Sequence, residues 1–505
     1  MRARRVRASN GGAGGERRVG AGPGGKRTME MEAHGTFEKR RRGIGGRPFA
    51  IASRRAWAGF MAGRLALMAL SALLLLVVLP GCAKKEPARP NVVLIVIDTL
   101  RPDHLPCYGY KNDTAPFLAR LADEGVVFER VHSTSSWTAP ATTSILTSLY
   151  PLQHGVHNGT VATRERSRTD PTITVDRIPD AARTAAEAFR DAGYATWGVS
   201  DNFNVSRAMG FDQGFDRFEE MVDRGADVVN AVVREWASEL RAKPYFLYIH
   251  YMDPHRPYQP RQPYFRPGVG ERENSIAAYD SEIHFVDDRI RELYDLLEWG
   301  KGAWVVVCAD HGEEFLDHGG WDHGRTLYTE VLDVPLIIHP PTPLPARPSR
   351  SGAPASGPIK RITQPASLID VLPTLREMGG VPGDDMEQGI SLLCAVYGEQ
   401  PPSGARPFFG ELHSAPWYGS ETKKCVIRGN HKYIQTLPSA EELYDIVMDP
   451  RERRSVAAQW PKVVEQMRKQ LELFETRYPR LAADSSSTTL DPQTIEKLKS
   501  LGYIK

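Results

Sequence analysis

A chain of 505 residues with 41% hydrophobic side chains can bury one large core or two to three domains. Its net charge of +2 hides an asymmetry: residues 1–60 hold 15 Lys and Arg against 4 acids, leaving 49 basic and 58 acidic residues in the rest, a net of −9. A weakly acidic body excludes nucleic acid as the main partner, because phosphate backbones are bound through clustered cations.

Residues 1–60 are Arg/Gly-rich and low in complexity, and read as a disordered segment or an over-extended start. Met61-Ala62-Gly63-Arg64 and the apolar run Leu65 to Leu79 lead into Leu79-Pro80-Gly81-Cys82. Residues 61–82 resemble a bacterial lipoprotein signal, with Cys82 the lipidated residue and 83–90 a tether. The expected product is exported and held at the membrane by a lipid anchor, facing the periplasm or the cell exterior. An uncleaved anchor helix is the alternative, although the run is short for a full span. The other cysteines, Cys107, Cys308, Cys394 and Cys425, show no metal-ligand spacing. Cys308 lies in an apolar run and is expected to be a buried thiol.

Asn91 to Ile97 is a continuous apolar, β-branched run, as expected of a strand buried on both faces, and it ends in Asp98-Thr99. A helix over Pro116 to Glu124 stops at Gly125, and Val126 to Val131 is extended. A polar turn, Ser135-Ser136-Trp137-Thr138-Ala139-Pro140, precedes a helical run from Ala141 to Leu149. Helices follow over Ala181–Ala192, Ala226–Arg241, Ser275–Trp299 and Leu368–Glu377. Strands follow over Tyr194–Val199, Tyr245–Ile249, Ala303–Ala309 and Val334–His339. Pro341 to Pro358 reads as an exposed insertion. Beyond residue 400 the pattern becomes a hairpin, Lys424–Ile427 and Lys432–Leu437 across Gly429-Asn430, then Glu442–Asp449 and a helix over Lys462–Arg477.

Strands alternating with helices imply an α/β fold, with a mostly parallel central sheet flanked by helices over 91–400 and a smaller α+β subdomain over 401–505. Ligands in such sheets bind at the carboxyl ends of the strands. That rule puts Asp98, Asn202, His250 to His255 and Asp310-His311 on one rim. Asn202 and His250 are expected to face the substrate. Thr138 stands where a helix starts, and the free N–H groups and positive dipole end there favour a tetrahedral anion. Its hydroxyl is therefore a candidate nucleophile; the plainer alternative is an N-cap Thr. Asp98, Asp310 and His311 with Thr138 could hold one divalent cation, which would lower the hydroxyl's pKa.

These segments resemble the sulfatase family of the alkaline phosphatase superfamily. The resemblance rests on Asn91 to Asp98, on Leu146-Thr147-Ser148-Leu149-Tyr150-Pro151-Leu152-Gln153-His154-Gly155, on Ala309-Asp310-His311-Gly312-Glu313, on Leu327-Tyr328-Thr329-Glu330 with Val334-Pro335-Leu336-Ile337, and on Glu442-Leu443-Tyr444-Asp445 with Asp449-Pro450. It implies the alkaline phosphatase-like fold and a metal-dependent ester hydrolase. Sulfatases carry C-x-P-x-R or S-x-P-x-R, whose first residue becomes formylglycine. This chain has Thr138-Ala139-Pro140-Ala141-Thr142, and oxidising a Thr would give a ketone rather than the required aldehyde. Where sulfatases tend to have paired Asp and Asp-Asn around Ca²⁺, this chain has Asp98-Thr99 and Asp310-His311. Imidazole in place of oxygen favours Zn²⁺ or Mn²⁺ over Ca²⁺.

A Thr nucleophile with Asp, Asp and His is similar to the phosphodiesterase and phosphotransferase branches of the superfamily. Asn158 resembles the Asn that contacts the transferred phosphoryl group in those enzymes. In two-metal relatives an Asp and two His hold the second ion, a set that Asp253, His255 and His323 could supply. In one-metal relatives the histidines act as acid and substrate clamp. The favoured expectation is hydrolysis or transfer at phosphoesters or phosphonate esters through Thr138, with His255 also catalytic and one or two ions present, two being favoured. The alternatives are a sulfuric ester hydrolase without formylglycine and an inactive surface lipoprotein that binds anionic glycans.

Overall fold

The computed structural model describes residues 89–159, 173–345, 360–399, 406–413, 421–481 and 487–500. The expected signal, the lipidation site Cys82 and most of the insertion after Pro341 lie outside these residues. Among the described residues no helix is long and apolar enough to cross a membrane.

The apolar run Asn91–Ile97 forms β1, essentially solvent-free after its first residue. The chain continues through α1 (Pro116–Glu124), β2 (Val126–Phe128), α2 (Thr138–Thr147), α3 (Ala185–Asp191), β3 (Ala195–Ser200), β4 (Arg217–Glu220), α4 (Ala226–Leu240) and β5 (Tyr245–Tyr251). There follow α5 (Glu271–Leu296), β6 (Ala303–Cys308), β7 (Leu336–His339), β8 (Arg361–Ile362) and α6 (Val371–Gly379). Eight strands form one sheet in the order β8-β2-β7-β6-β1-β5-β3-β4. The neighbours from β6 to β4 are parallel, and β7 runs antiparallel to both β6 and β2. The fold is thus α/β with a mostly parallel central sheet, as the alternating pattern predicts. The order has a chemical consequence. Strands β6, β1, β5 and β3 lie side by side, so the residues at their carboxyl ends, Asp310, Asp98, His250 and Asn202, meet on one rim.

The C-terminal part is a four-stranded antiparallel sheet, β9 (Phe408–Leu412), β10 (Lys423–Arg428), β11 (His431–Thr436) and β12 (Ala440–Asp445), with α7 (Pro461–Arg477) against one face. Phe409, Val426, Tyr433, Leu443 and Phe474 form a core shared with Tyr150 of the larger part. A buried ion pair, Lys432 Nζ to Glu452 Oε1 at 2.9 Å, joins the two parts, because Glu452 Oε2 also accepts from Thr329 N at 2.8 Å. Residues Ser487–Thr489 return to pair with Thr174–Asp176, so the chain leaves and re-enters the larger part. Among the described residues no disulfide joins Cys107, Cys308, Cys394 and Cys425, and Cys308 is fully buried.

Candidate active site

Helix α2 begins at Thr138, three residues earlier than the apolar pattern suggests, with Pro140 in its first turn. All ten of its residues are buried although half carry hydroxyls. Two of the five hydroxyls bond the helix's own carbonyls, Thr143 Oγ1 donating to Ala139 O at 2.7 Å and Thr147 Oγ1 to Thr143 O at 2.7 Å, whereas Ser144 Oγ meets His154 Nε2 at 3.2 Å and Thr142 Oγ1 is buried without a partner. Trp137, the residue before the helix, offers no side-chain cap, so the first-turn N–H groups stay open to a ligand. The loop leading in is pinned from two sides. Ser133 Oγ donates to Asp310 O at 2.6 Å, and Ser135 Oγ donates to Glu411 O on β9 at 2.7 Å.

Thr138 Oγ1 lies 3.4 Å from Asp98 Oδ2, 3.3 Å from His311 Nε2 and 3.5 Å from Asn202 Nδ2. Asp98 divides its two oxygens between jobs. Oδ2 accepts from Asn202 Nδ2 at 2.7 Å and meets His250 Nε2 at 3.2 Å, whereas Oδ1 is buried without a partner. Asn202 and His250, expected to face the substrate, are instead spent on this carboxylate. His250 is itself held by Tyr248 OH at 2.8 Å to Nδ1. Asp310 accepts from His311 N through Oδ1 and leaves Oδ2 buried and unpaired. His311 Nδ1 lies 2.9 Å from Gly312 O, which fixes the proton there and turns the lone pair of Nε2 toward both aspartates, 3.5 Å from each.

The electrostatics agree with a cation between these groups. Burial alone would raise Asp98, yet the His250 hydrogen bond and the fields of His255 and His311 hold its carboxyl well below the usual range. Burial, then the charge of Asp98, pushes Asp310 far above it. Burial lowers His311 to about 3, with His323 adding to the effect, so its imidazole is neutral as a metal ligand must be. Among the described residues Asp98, Asp310 and His311 are the one group of three or more such side chains whose ligand atoms all lie within 4.8 Å of one another. Two unpaired carboxylate oxygens and one presented imidazole fit a divalent ion. Thr99 is part of the frame: a β-branched residue held at φ 57°, its backbone N–H reaches Asp310.

The other histidines form a second layer. The His323 ring lies 4.4 Å from that of His311 and 4.9 Å from that of His255. His323 Nδ1 meets Glu313 Oε1 at 3.0 Å; burial opposes its charge, but the carboxylate outweighs it and raises the imidazole above its ordinary value. His255 Nδ1 is turned to the Arg256 carbonyl at 2.6 Å. Asp253 does not join them. Its Oδ1 accepts from Arg261 Nη2 and from Ala226 N, both at 3.2 Å, and the ligand atoms of Asp253, His255 and His323 do not all come within 4.8 Å of one another. Asn158 is exposed, with Nδ2 donating to Asp176 Oδ2 at 3.2 Å. Sequence reasoning assigned no role to Glu313, although it stands in the quoted Asp-His-Gly-Glu stretch, and none to Tyr248 or Arg261.

A family model described as Sulfatase matches residues 90–381. The chain is 22% identical to an uncharacterized sulfatase, YidJ, of Escherichia coli, over 73% of this chain and 83% of that one. It is 22% identical to a Delta 4,5-hexuronate-2-O-sulfatase of Bacteroides thetaiotaomicron, over 79% and 91%. The solved phosphonate monoester hydrolase of Agrobacterium radiobacter superposes with a TM-score of 0.61 at 18% identity, covering 80% of this chain and all of that one, a likeness of fold.

Proposed function

The chain belongs to the sulfatase family, a hydrolase of the sulfate- and phosphate-ester class, and from that premise we propose that it cleaves phosphoesters or phosphonate esters with Thr138 as the nucleophile. The observation that carries this is the place of the Thr138 hydroxyl. It stands at an uncapped helix N-terminus, 3.3–3.5 Å from Asp98, His311 and Asn202, in a chain with no Cys or Ser at that position to become formylglycine. Asp98, Asp310, His311 and Thr138 would hold a divalent ion, Zn²⁺ or Mn²⁺ rather than Ca²⁺ given the imidazole. Bound there, the ion supplies Lewis-acid stabilisation and an acidified hydroxyl.

The chain's own groups account for the rest. Asn202 and His250 keep Asp98 ionised and oriented. The first turn of α2 offers N–H groups and a positive dipole end to the oxygens of the ester. Thr138 Oγ1, its proton released to water, attacks phosphorus in line, forming a phospho-threonine ester as the bond to the leaving alcohol breaks. His323, kept protonated by Glu313, gives its proton to that alcohol, and His255 clamps the substrate from the same wall. Neutral His323 then takes the proton of a water or acceptor alcohol as it attacks phosphorus, and the bond to Thr138 Oγ1 breaks to return the free side chain. A single ion is favoured over two, because the ligand atoms of Asp253, His255 and His323 do not all come within 4.8 Å of one another, although Asp253 Oδ2 is buried without a partner.

The sulfate-ester reading keeps one specific support, the sulfatases among the relatives. Parallel turnover of aryl phosphate diesters, phosphonates and sulfates by Mn²⁺- and Zn²⁺-loaded protein separates the two. Preference for sulfates by more than about tenfold, or full activity after chelation, overturns the proposal. Anchoring through Cys82 belongs to the same reading and places the hydrolase at a membrane surface, acting on an anionic ester.

A further inference from the structure

Away from the reaction centre, three cationic or proton-accepting side chains meet where the C-terminal sheet touches the larger part. His157 follows the turn at Gly155, His413 ends the β9 edge, and Arg480 follows α7. The rings of His157 and His413 stack with centroids 3.4 Å apart and planes 24° from parallel. Arg480 donates to Gly155 O at 3.3 Å and lies so close to Gly155 that a side chain there would run into its guanidinium.

The acids around this group hold other partners, although Glu411 Oε1 is buried without one and burial raises that carboxyl to about 7. Asp176 Oδ2 takes His157 N, Asn158 N and Asn158 Nδ2. Glu475 pairs with Lys424, and Glu411 Oε2 accepts from Leu152 N. His154 faces Ser144 instead, Nε2 to Oγ at 3.2 Å. His413 Nε2 is buried without any partner. Burial, then Lys424 and Arg480, lowers His413 to about 4, and burial, then His413, His154 and Arg480, lowers His157 further still. Two imidazoles stacked face to face beside a guanidinium, with no carboxylate turned to them among the described residues, make a site whose missing partner is negative.

The position is informative. Gly159, two residues after His157, packs so tightly on the Trp137 ring and Asn204 that no side chain would fit, and Trp137 directly precedes Thr138. The segment 157–159 therefore ends against the residue that precedes Thr138. We propose that His157, His413 and Arg480 form a second anion subsite, which binds a sulfate, phosphate or carboxylate group carried elsewhere on the molecule whose ester Thr138 attacks. The proposal rests on the hydrolase reading above and narrows it to polyanionic substrates. The imidazoles take up protons as the anion enters, and Arg480 supplies charge-assisted hydrogen bonds.

Two arms test this on the full chain. Inorganic sulfate is titrated calorimetrically against wild type, Arg480→Met and His413→Asn at pH 6 and pH 8, where sulfate keeps its charge. Arg480 is exposed, so its replacement leaves the fold intact even if His413→Asn does not. The expected result is a sulfate site lost in both variants and weakened in wild type by about tenfold per pH unit for each proton taken up. Equal stoichiometry and affinity in all three proteins overturns the subsite. The second arm uses two aryl esters of the class the enzyme turns over, one with the reacting group as its sole anion and one bearing an added carboxylate. Arg480→Met should raise KM for the second by about tenfold or more, leaving kcat and the first substrate unchanged. Equal effects on both substrates, or none, overturns the link to substrate even where free sulfate binds. If no ester is turned over, the hydrolase reading fails while the sulfate arm still decides the site.

Discussion

Replacing Glu313 by Gln removes one charge and keeps the shape of the side chain. Glu313 is fully buried, and its Oε1 lies 3.0 Å from His323 Nδ1, a ring 13% exposed. A hydrogen bond to a charged partner contributes about 1.5–3 kcal/mol, roughly a ten- to hundredfold bias toward the protonated imidazole. Without it, burial drives His323 toward its neutral form, because desolvation is the largest influence on that ring and acts downward. The sign follows: His323 is raised by its partner, so activity that needs its proton is full at low pH and lost as pH rises, and the loss moves to lower pH in Glu313→Gln. At pH 8, kcat/KM should fall about ten- to hundredfold, and at pH 5.5 it should approach wild type. The deficit should be largest for esters of alkyl alcohols, which need a proton on departure, and small for nitrophenyl esters, which do not. Steady-state profiles from pH 5 to 9 on the two substrate types give the answer. A uniform loss at every pH and with both leaving groups would refute the role of His323 as proton donor and leave Glu313 a packing residue.

Other outcomes follow from the same geometry. Thr138→Ala should lower turnover by several orders of magnitude without shifting the unfolding midpoint by more than a few degrees; near-wild-type rates on the best substrate would exclude covalent catalysis by Thr138. Lys432→Met strands the Glu452 carboxylate and should destabilise the protein by about 3–5 kcal/mol. Burial already raises that carboxyl, so the penalty should grow with pH above the ordinary carboxylate range and shrink in acid; equal denaturation midpoints at pH 5 and 8, relative to wild type, would argue against it. Cys82→Ser should release the protein from washed membranes, and a variant that stays bound points to an uncleaved anchor instead.

Much of the fold was legible because a strand covered on both faces must be apolar throughout, and Asn91–Ile97 and Ala303–Cys308 leave little choice. Their polar ends marked the rim. Strand order was not legible, and it is strand order that brings Asn202 and His250 onto one oxygen of Asp98 rather than toward a substrate. The start of α2 was misplaced because Thr138 to Pro140 carry no apolar period; a buried helix half of whose residues carry hydroxyls leaves none. Asp253 looked available for a metal because its partner, Arg261, lies across an irregular loop, where no spacing rule connects a carboxylate to a guanidinium. Glu313 was hidden for the opposite reason, since one acid among several in a short stretch gives no sign of which one turns inward.

The hydrogen bond from Ser135 to the Glu411 carbonyl also bears on when the protein can act. The loop leading to Thr138 is contributed early in synthesis, but the strand that steadies it lies 276 positions later. The wall carrying His157 depends on Asp176, whose neighbouring strand pairs with residues near 488. A growing chain therefore displays the strand ends of the rim long before the Thr138 loop and the segment carrying His157 are held in place. The site is therefore completed only once residues near 411 and 488 have folded back onto the larger part.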